Sequence, residues 1–437
     1  MTNEQIASLE PALLGLLARF RPCFKQDRTM GHLQKYLVGL LTDVKRKSIE
    51  PIALAAGVPV RTLQQFLAEF PWDHRKARDL LQRLVAEEHE PAEGIGIVDS
   101  SGHAKRGDKT PGVQRQWCGE SGKIDNCVVG QHLLYTDNRR RNPFSCMLAS
   151  DLFLPESWSE DRERCREAWI PEDLVHRPKW KIALDQLQQA IGNGIRFAWV
   201  TFDEEYGTVP QFWFNLDRLG LRAIGEVQPR FNVWATPPCC RSGRAEHTSK
   251  RVDDLVRHSP VFTQQPWRRI KIKIVTRGPV VWKVKAARVQ LVGQRYSDHG
   301  PSLPTDRRYW LILAHNDKTD ETKYLVSNAP AHTSVKKLLE IAFARWHVEK
   351  WFERAKQEAG LGAFEVRTYT SLIRHWLICG IAMLFLARQT RRLRGEKSAD
   401  NVRAGGRGSQ RGGLGAVETL AAFPDGTTET VRVLSVA

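Results

Sequence analysis

Leu338, Ile341, Val348, Phe352 and Ala355 recur at helical spacing, and no Gly or Pro interrupts the chain between Ser334 and Gly360. This predicts one continuous helix packed on a single side. Beside its apolar face run Arg345, Glu349, Glu353 and Lys356, at steps of four, four and three. Such a stripe is either surface charge pairing or chemistry held next to a buried face.

Upstream, residues 1 to about 90 read as all helix. Leu13, Leu14, Leu16, Leu17 and Phe20 share one helix, and Leu33, Tyr36, Leu37, Leu40 and Leu41 another. Between Arg46 and Leu67 two short amphipathic helices flank Gly57, with Arg61, Gln64 and Gln65 on the outer face of the second. That is a helix-turn-helix or an ordinary helical hairpin; Lys45, Arg46 and Lys47 just before it favour DNA contact. From Gly94 the pattern turns to strands: Gly94–Asp99, Asn126–Tyr135 and Pro143–Ser150. A helix (Lys179–Ile191), a strand (Arg196–Phe202), a helix (Val209–Leu219) and a strand (Arg222–Val227) follow. Between Pro229 and Pro304, basic and apolar residues alternate, placing Lys271, Lys273, Lys283, Lys285 and Arg288 on one strand face. Arg308–Ala314 and Lys323–Asn328 form a further hairpin, and a last helix starts near Ser371. From Gln389 the chain is Gly- and Arg-rich without periodicity, which predicts a disordered basic tail.

Two aspartates give the helix stripe its meaning. Asp99 closes the apolar run from Ile95, and Asp203 closes the run from Phe197 to Phe202. Singly, each reads as a turn or cap residue. With Glu349 they make a set of two strand-end carboxylates and one helix carboxylate, the hard-oxygen donor set that divalent-metal phosphodiester chemistry requires. At these residues the chain resembles the bacterial insertion-sequence transposases of the DDE type. The family's helix carries Tyr, two residues, Arg, three residues, Glu, six residues and Lys. Arg345, Glu349 and Lys356 match that spacing, while Ala342 stands at the Tyr position with Phe343 beside it. Asp203, Tyr206 and Gly207, and the stretch Arg115 to Cys127 (RQWCGxxGKxxNC), also resemble this family, over roughly Phe20 to Arg388.

The resemblance implies an α/β fold: a ribonuclease H-like core with a mostly β insertion and an all-helical N-terminal domain. The expected divisions are 1–92 (helical, DNA-binding), 93–228 (core, first part), 229–305 (insertion), 306–388 (core, second part, with the Glu349 helix) and 389–437 (tail). It implies a DNA transposase that binds paired transposon ends, cleaves, and joins the 3′-OH to target DNA. Asp99, Asp203 and Glu349 would be catalytic and would hold two Mg²⁺ ions, with Mn²⁺ able to substitute. Arg345, Lys356, Arg61, Gln64, Lys45, Arg46, Lys283 and Lys285 are the expected DNA contacts, and a homodimer on double-stranded DNA the expected assembly. A ribonuclease H-like nuclease without strand transfer, and a catalytically inactive DNA-binding regulator, remain as alternatives.

Composition narrows this reading. Of 437 residues, 66 are Lys or Arg and 49 Asp or Glu, a net charge of +17 spread along the chain, which favours a polyanion. No basic amphipathic helix or lipidation signal supports a membrane partner. The most apolar run, Trp376 to Ala387, is about twelve residues, too short for a bilayer and expected to be a buried helix. Eight cysteines without C-x-x-C spacing fit a reducing compartment, and Cys239, Cys240 and His247 are too irregular for a zinc site. The expected location is the bacterial cytoplasm, on the nucleoid.

Overall fold

The computed structural model describes residues 3–89, 94–139, 143–236, 238, 240–241, 244–245, 248–274, 278–293, 303–403, 417–422 and 428–433. Six helices come first: α1 (Asn3–Ala7), α2 (Leu9–Ala18), α3 (Asp27–Leu41), α4 (Ile49–Ala55), α5 (Val60–Ala68) and α6 (His74–Glu88). The helical periodicity of the sequence is used here directly: α3 buries Leu33, Tyr36, Leu37 and Leu40, and α5 buries Leu63, Phe66 and Leu67. Gly57, at φ +60°, makes the turn between α4 and α5. Asp73 caps α6 by accepting from the Lys76 N–H at 2.9 Å.

The sheet explains how distant residues meet. β1 (Ile95–Ala104), β2 (Gln114–Cys118), β3 (Lys123–Thr136) and β4 (Ser145–Leu152) are followed by α7 (Glu156–Glu160), α8 (Arg162–Glu167) and α9 (Lys179–Gly192). Then come β5 (Trp199–Phe202), α10 (Glu204–Gly207), α11 (Pro210–Arg218) and β6 (Ala223–Glu226). β3 pairs antiparallel with both β4 and β1, while β1, β5 and β6 run parallel. The resulting order β4-β3-β1-β5-β6 is the ribonuclease H-like arrangement expected from the sequence.

The insertion supplies β7 (Asn232–Trp234), β8 (Cys240–Arg241), β9 (Arg244–Ala245), β10 (Lys250–Arg251), α12 (Val252–His258), α13 (Pro260–Thr263), β11 (Arg268–Ile274) and β12 (Gly278–Gly293). β13 (Leu303–Asn316) and β14 (Glu321–Ser327) carry it back to the core. β12 pairs with β13, β13 with β14, and β14 with β6, so one twelve-stranded sheet runs through core and insertion. Cys239 and His247 lie outside the described residues.

Three expectations need correction. β1 does not end at Asp99 but continues to Ala104, because β3 still offers an edge there after β5 has ended. The helix expected to be continuous from Ser334 to Gly360 is two helices, α14 (Val335–Ala344) and α15 (Trp346–Glu358). At the junction, Arg345 N–H donates to Ala342 O (3.2 Å) and Val348 N–H to Arg345 O (2.9 Å), three-residue bonds that tighten the turn without Gly or Pro. Finally, α16 (Tyr369–Arg403) runs beyond Arg388 into the stretch expected to be disordered, and β15 (Val417–Ala422) pairs with β16 (Thr428–Val433). Residues 404–416, 423–427 and 434–437 lie outside the described residues.

The apolar part of α16, Tyr369–Arg394, is long and apolar enough to cross a membrane, but 78% of its 18-residue apolar stretch is buried inside the protein. It therefore works as a core helix, longer than the run read from sequence. Arg374 on α16 donates to the carbonyls of Phe66 (3.2 Å), Leu67 (3.1 Å) and Trp72 (2.9 Å), which fixes the end of α5 to the core. Tyr36 Oη and His375 Nδ1 share a hydrogen bond of 2.8 Å across the same interface.

Candidate active site

Val98 and Phe202 are the last partners in the parallel pairing of β1 with β5. Asp99, still within β1, and Asp203, just past the end of β5, are the next residues, so the two carboxylates sit side by side where the parallel pairing stops. Asp203 Oδ1 accepts from the Glu205 N–H at 3.0 Å and so caps α10; Asp99 Oδ1 accepts from the Ser100 N–H at 2.7 Å. The motif glycine, Gly207, lets α10 lie against β6, since a Cβ there would come within 1.9 Å of Glu226 O. Burial pushes the Asp203 carboxyl up to about 7, with the charge of Asp99 adding to it. Burial also raises Asp99, to about 6, against the pull of Arg345.

Arg345 joins the third carboxylate to the first. From the α14–α15 junction its guanidinium reaches Asp99 Oδ2 at 3.2 Å and Glu349 Oε1 at 2.8 Å. About two turns beyond Glu349, Lys356 Nζ lies 3.5 Å from Gly102 O and 3.8 Å from Glu120 Oε1. α15 thus lies along β1, with a cation at each end of the stretch that starts at Asp99. At the position of the family's Tyr, Ala342 is buried, and Phe343 stacks on Trp282 with ring centroids 4.8 Å apart. A cleft of about 760 Å³ opens beside Arg345 and Glu349, lined also by Trp346, Lys350, Glu226 and Lys323.

Among the described residues, no three His, Cys, Asp or Glu side chains are clustered closely enough to hold a metal ion as they stand. The donor chemistry nevertheless fits a divalent cation. Burial holds the protons of two adjacent carboxylates above the usual range against the pull of the Arg345 guanidinium, and Glu349, half-exposed, is tethered to Asp99 by that guanidinium.

The remaining expected contacts lie elsewhere. Arg61 and Gln64 are exposed on α5, Arg61 paired with Glu69 at 3.2 Å. Lys45 is exposed before α4, and Arg46 pairs with Glu365. On β12, Lys283 pairs with Asp317 (2.8 Å) and Lys285 donates to Phe262 O (2.8 Å). The sequence reading missed the layer beneath the carboxylates. Gln131 Nε2 donates to Asp99 O at 3.2 Å, its Oε1 accepts from Tyr206 Oη, and Lys179 pairs with Glu205 at 2.7 Å. Tyr206 stood in a quoted motif; nothing local to Gln131 or Lys179 marked them.

These features set two buried carboxylates and a helix glutamate around one guanidinium on a ribonuclease H-like sheet. The model of the DDE superfamily endonuclease family matches residues 19–279, and the chain belongs to that family. The match includes Asp99 and Asp203; Glu349 lies beyond it. A probable transposase for insertion sequence element IS701 from Microchaete diplosiphon is 40% identical over 206 residues, covering 46% of this chain and 50% of that protein. The chain thus spans about half the length of this relative. Among solved structures, a piggyBac transposase synaptic complex with hairpin DNA aligns with a TM-score of 0.44 and 10% identity, covering 91% of this chain and 74% of that one.

Proposed function

We propose that the protein is a DNA transposase that binds paired transposon ends as a homodimer, cleaves them, and joins the freed 3′-OH to target DNA in the bacterial cytoplasm. The observation that carries this reading is the side-by-side placement of Asp99 and Asp203 where the β1–β5 pairing stops, with Glu349 linked to Asp99 through Arg345. Asp99, Asp203 and Glu349 would hold two Mg²⁺ ions, for which Mn²⁺ can substitute; when bound, these activate the attacking oxygen and stabilise the leaving one. The chain's own residues do the rest. Arg345 balances the carboxylates until their charge is met and is then free to hold a phosphate of the DNA end. Lys356 adds a second phosphate contact along β1. Arg61 and Gln64 face outward from the helix-turn-helix to reach base edges, with Lys45 and Arg46 on the backbone beside them. The test is to incubate the protein with Mg²⁺, the DNA flanking its own gene and a supercoiled target. Discrete ends with their 3′-OH joined to the target are expected; cleavage without joining would reduce the reading to a nuclease.

A further inference from the structure

The stretch Arg115 to Cys127, which forms the β2–β3 hairpin, has no part in the chemistry above. Most of its side chains serve the fold. Gln116 Nε2 donates to Cys127 O (3.0 Å), and Cys118 and Cys127 are buried together against Val129. Glu120 Oε2 accepts from the Ala104 N–H (3.3 Å), and Asn126 Nδ2 donates to the carbonyls of Lys105 (3.0 Å) and Gly107 (2.8 Å). The hairpin is therefore braced against β1. It also lies close to the site: a Cβ at Gly102 would come within 3.1 Å of Cys118 Cα. Gly102 is three residues beyond Asp99, roughly 10 Å along the strand.

Four side chains of the hairpin serve nothing internal. Trp117 and Ile124 are directly opposed across the strands and are 64% and 61% exposed. Arg115, two residues before Trp117, shares its face, while Lys123, opposite Cys118, leaves from the other; both are exposed and make no side-chain hydrogen bond or ion pair among the described residues. An exposed indole with an unpaired guanidinium on its own strand face, and an unpaired ammonium on the other face of the same ribbon, can stack on a nucleobase while these cations hold phosphates. A second copy of the chain fits this patch poorly. A Trp buries at most about 250 Å², whereas a stable interface needs about 800 Å² from each partner.

We infer that the β2–β3 hairpin is a nucleic-acid contact: Trp117, backed by Ile124, stacks on a base exposed in the DNA that reaches Asp99 and Asp203, and Arg115 and Lys123 hold the flanking phosphates. This rests on the DNA reading above. Binding of the full chain is measured in EDTA, so that no cleavage intervenes, on two labelled duplexes of one sequence, one fully paired and one with a short central mismatch. Trp117→Ala should weaken binding to the mismatched duplex about 10-fold and leave the paired duplex nearly unaffected. Trp117→Phe should keep most of the affinity and covers the case in which Trp117→Ala fails to fold. Arg115→Ala with Lys123→Ala should weaken both and lower the salt dependence by about two phosphate contacts. Trp169→Ala, at another exposed tryptophan, should change neither. Equal binding of the mismatched duplex by wild type and Trp117→Ala would overturn the inference alone. So would a loss of self-association in Trp117→Ala with DNA affinity intact, which would assign the patch to a second copy. Failure of the wild type to bind either duplex would overturn the DNA reading itself.

Discussion

The cations of the insertion and those beside Glu349 are held differently. On β12, Lys283 pairs with Asp317 at 2.8 Å, and Lys285 donates to Phe262 O at 2.8 Å with its ammonium 4.9 Å from the Trp267 ring centroid. On α15, Lys356 has only a 3.5 Å approach to Gly102 O and a 3.8 Å approach to Glu120, at or beyond the edge of hydrogen bonding. Arg345 is bound firmly, but to the carboxylates of the site itself. Regular spacing places both sets on a face. Whether a cation is available to a phosphate depends on what else already satisfies it, and by that measure α15 offers more than the insertion.

The largest effect tests the centre to which Arg345 is bound. Asp99→Ala, Asp203→Ala and Glu349→Ala should each lower cleavage by about a thousandfold or more while DNA binding stays intact, since one lost donor disrupts the whole set. Cleavage rates on end-containing DNA, alongside binding in EDTA, separate the two quantities. A variant within about tenfold of wild type would remove that residue from the site.

The next effect compares the cation sets directly. Lys356→Ala should slow cleavage by roughly 10-fold and lower the salt dependence of binding by about one phosphate contact. Lys283→Ala and Lys285→Ala should leave the rate within about twofold, because each removes an internal partner rather than a phosphate contact. Single-turnover rates over a salt series measure both. Should the β12 variants be the more damaging, the DNA lies mainly on the insertion and the comparison is reversed.

How far these differences could be read from sequence depends on whether their cause is local. The strand ending in Phe202 and the carboxylate after it were legible because a β-branched and aromatic run meets a polar residue there. The overrun of β1 was not, because it follows from β3 pairing on one edge after β5 has stopped on the other. The break at Arg345 has no Gly or Pro to announce it and coincides with a contact to Asp99, far off in sequence. α16 looked finished at Arg388 since its apolar pattern fades, yet Arg388 pairs with Glu88 and Arg392 donates to Ser8 Oγ at 2.7 Å. Alternation along β12 showed which lysines share a face; their partners Asp317 and Phe262 arrive from other segments.

The smallest effect uses buried histidine as a gauge of how closely Lys356 faces the core. His103 on β1 is fully buried, and neither ring nitrogen has a partner. Burial, and then the charge of Lys356, hold its pKa well below the ordinary value. His375 is held down to about 4, chiefly by burial. Both rings are neutral in the folded chain, whereas in the unfolded chain they protonate near pH 6.5. Their contribution to stability is therefore complete above about pH 6.5 and is lost as pH falls towards the folded values, by roughly 2 kcal/mol for each histidine at pH 5. Lys356→Ala removes repulsion from protonated His103 and raises its folded pKa, so this variant should lose less stability than wild type as pH falls from 7 to about 3, the difference appearing at the acid end where the folded ring begins to protonate. Lys283→Ala, on the insertion, should follow the wild-type curve. Denaturant midpoints across that range make the measurement, and parallel curves for Lys356→Ala and wild type would show that the Lys356 ammonium points away from β1 in solution.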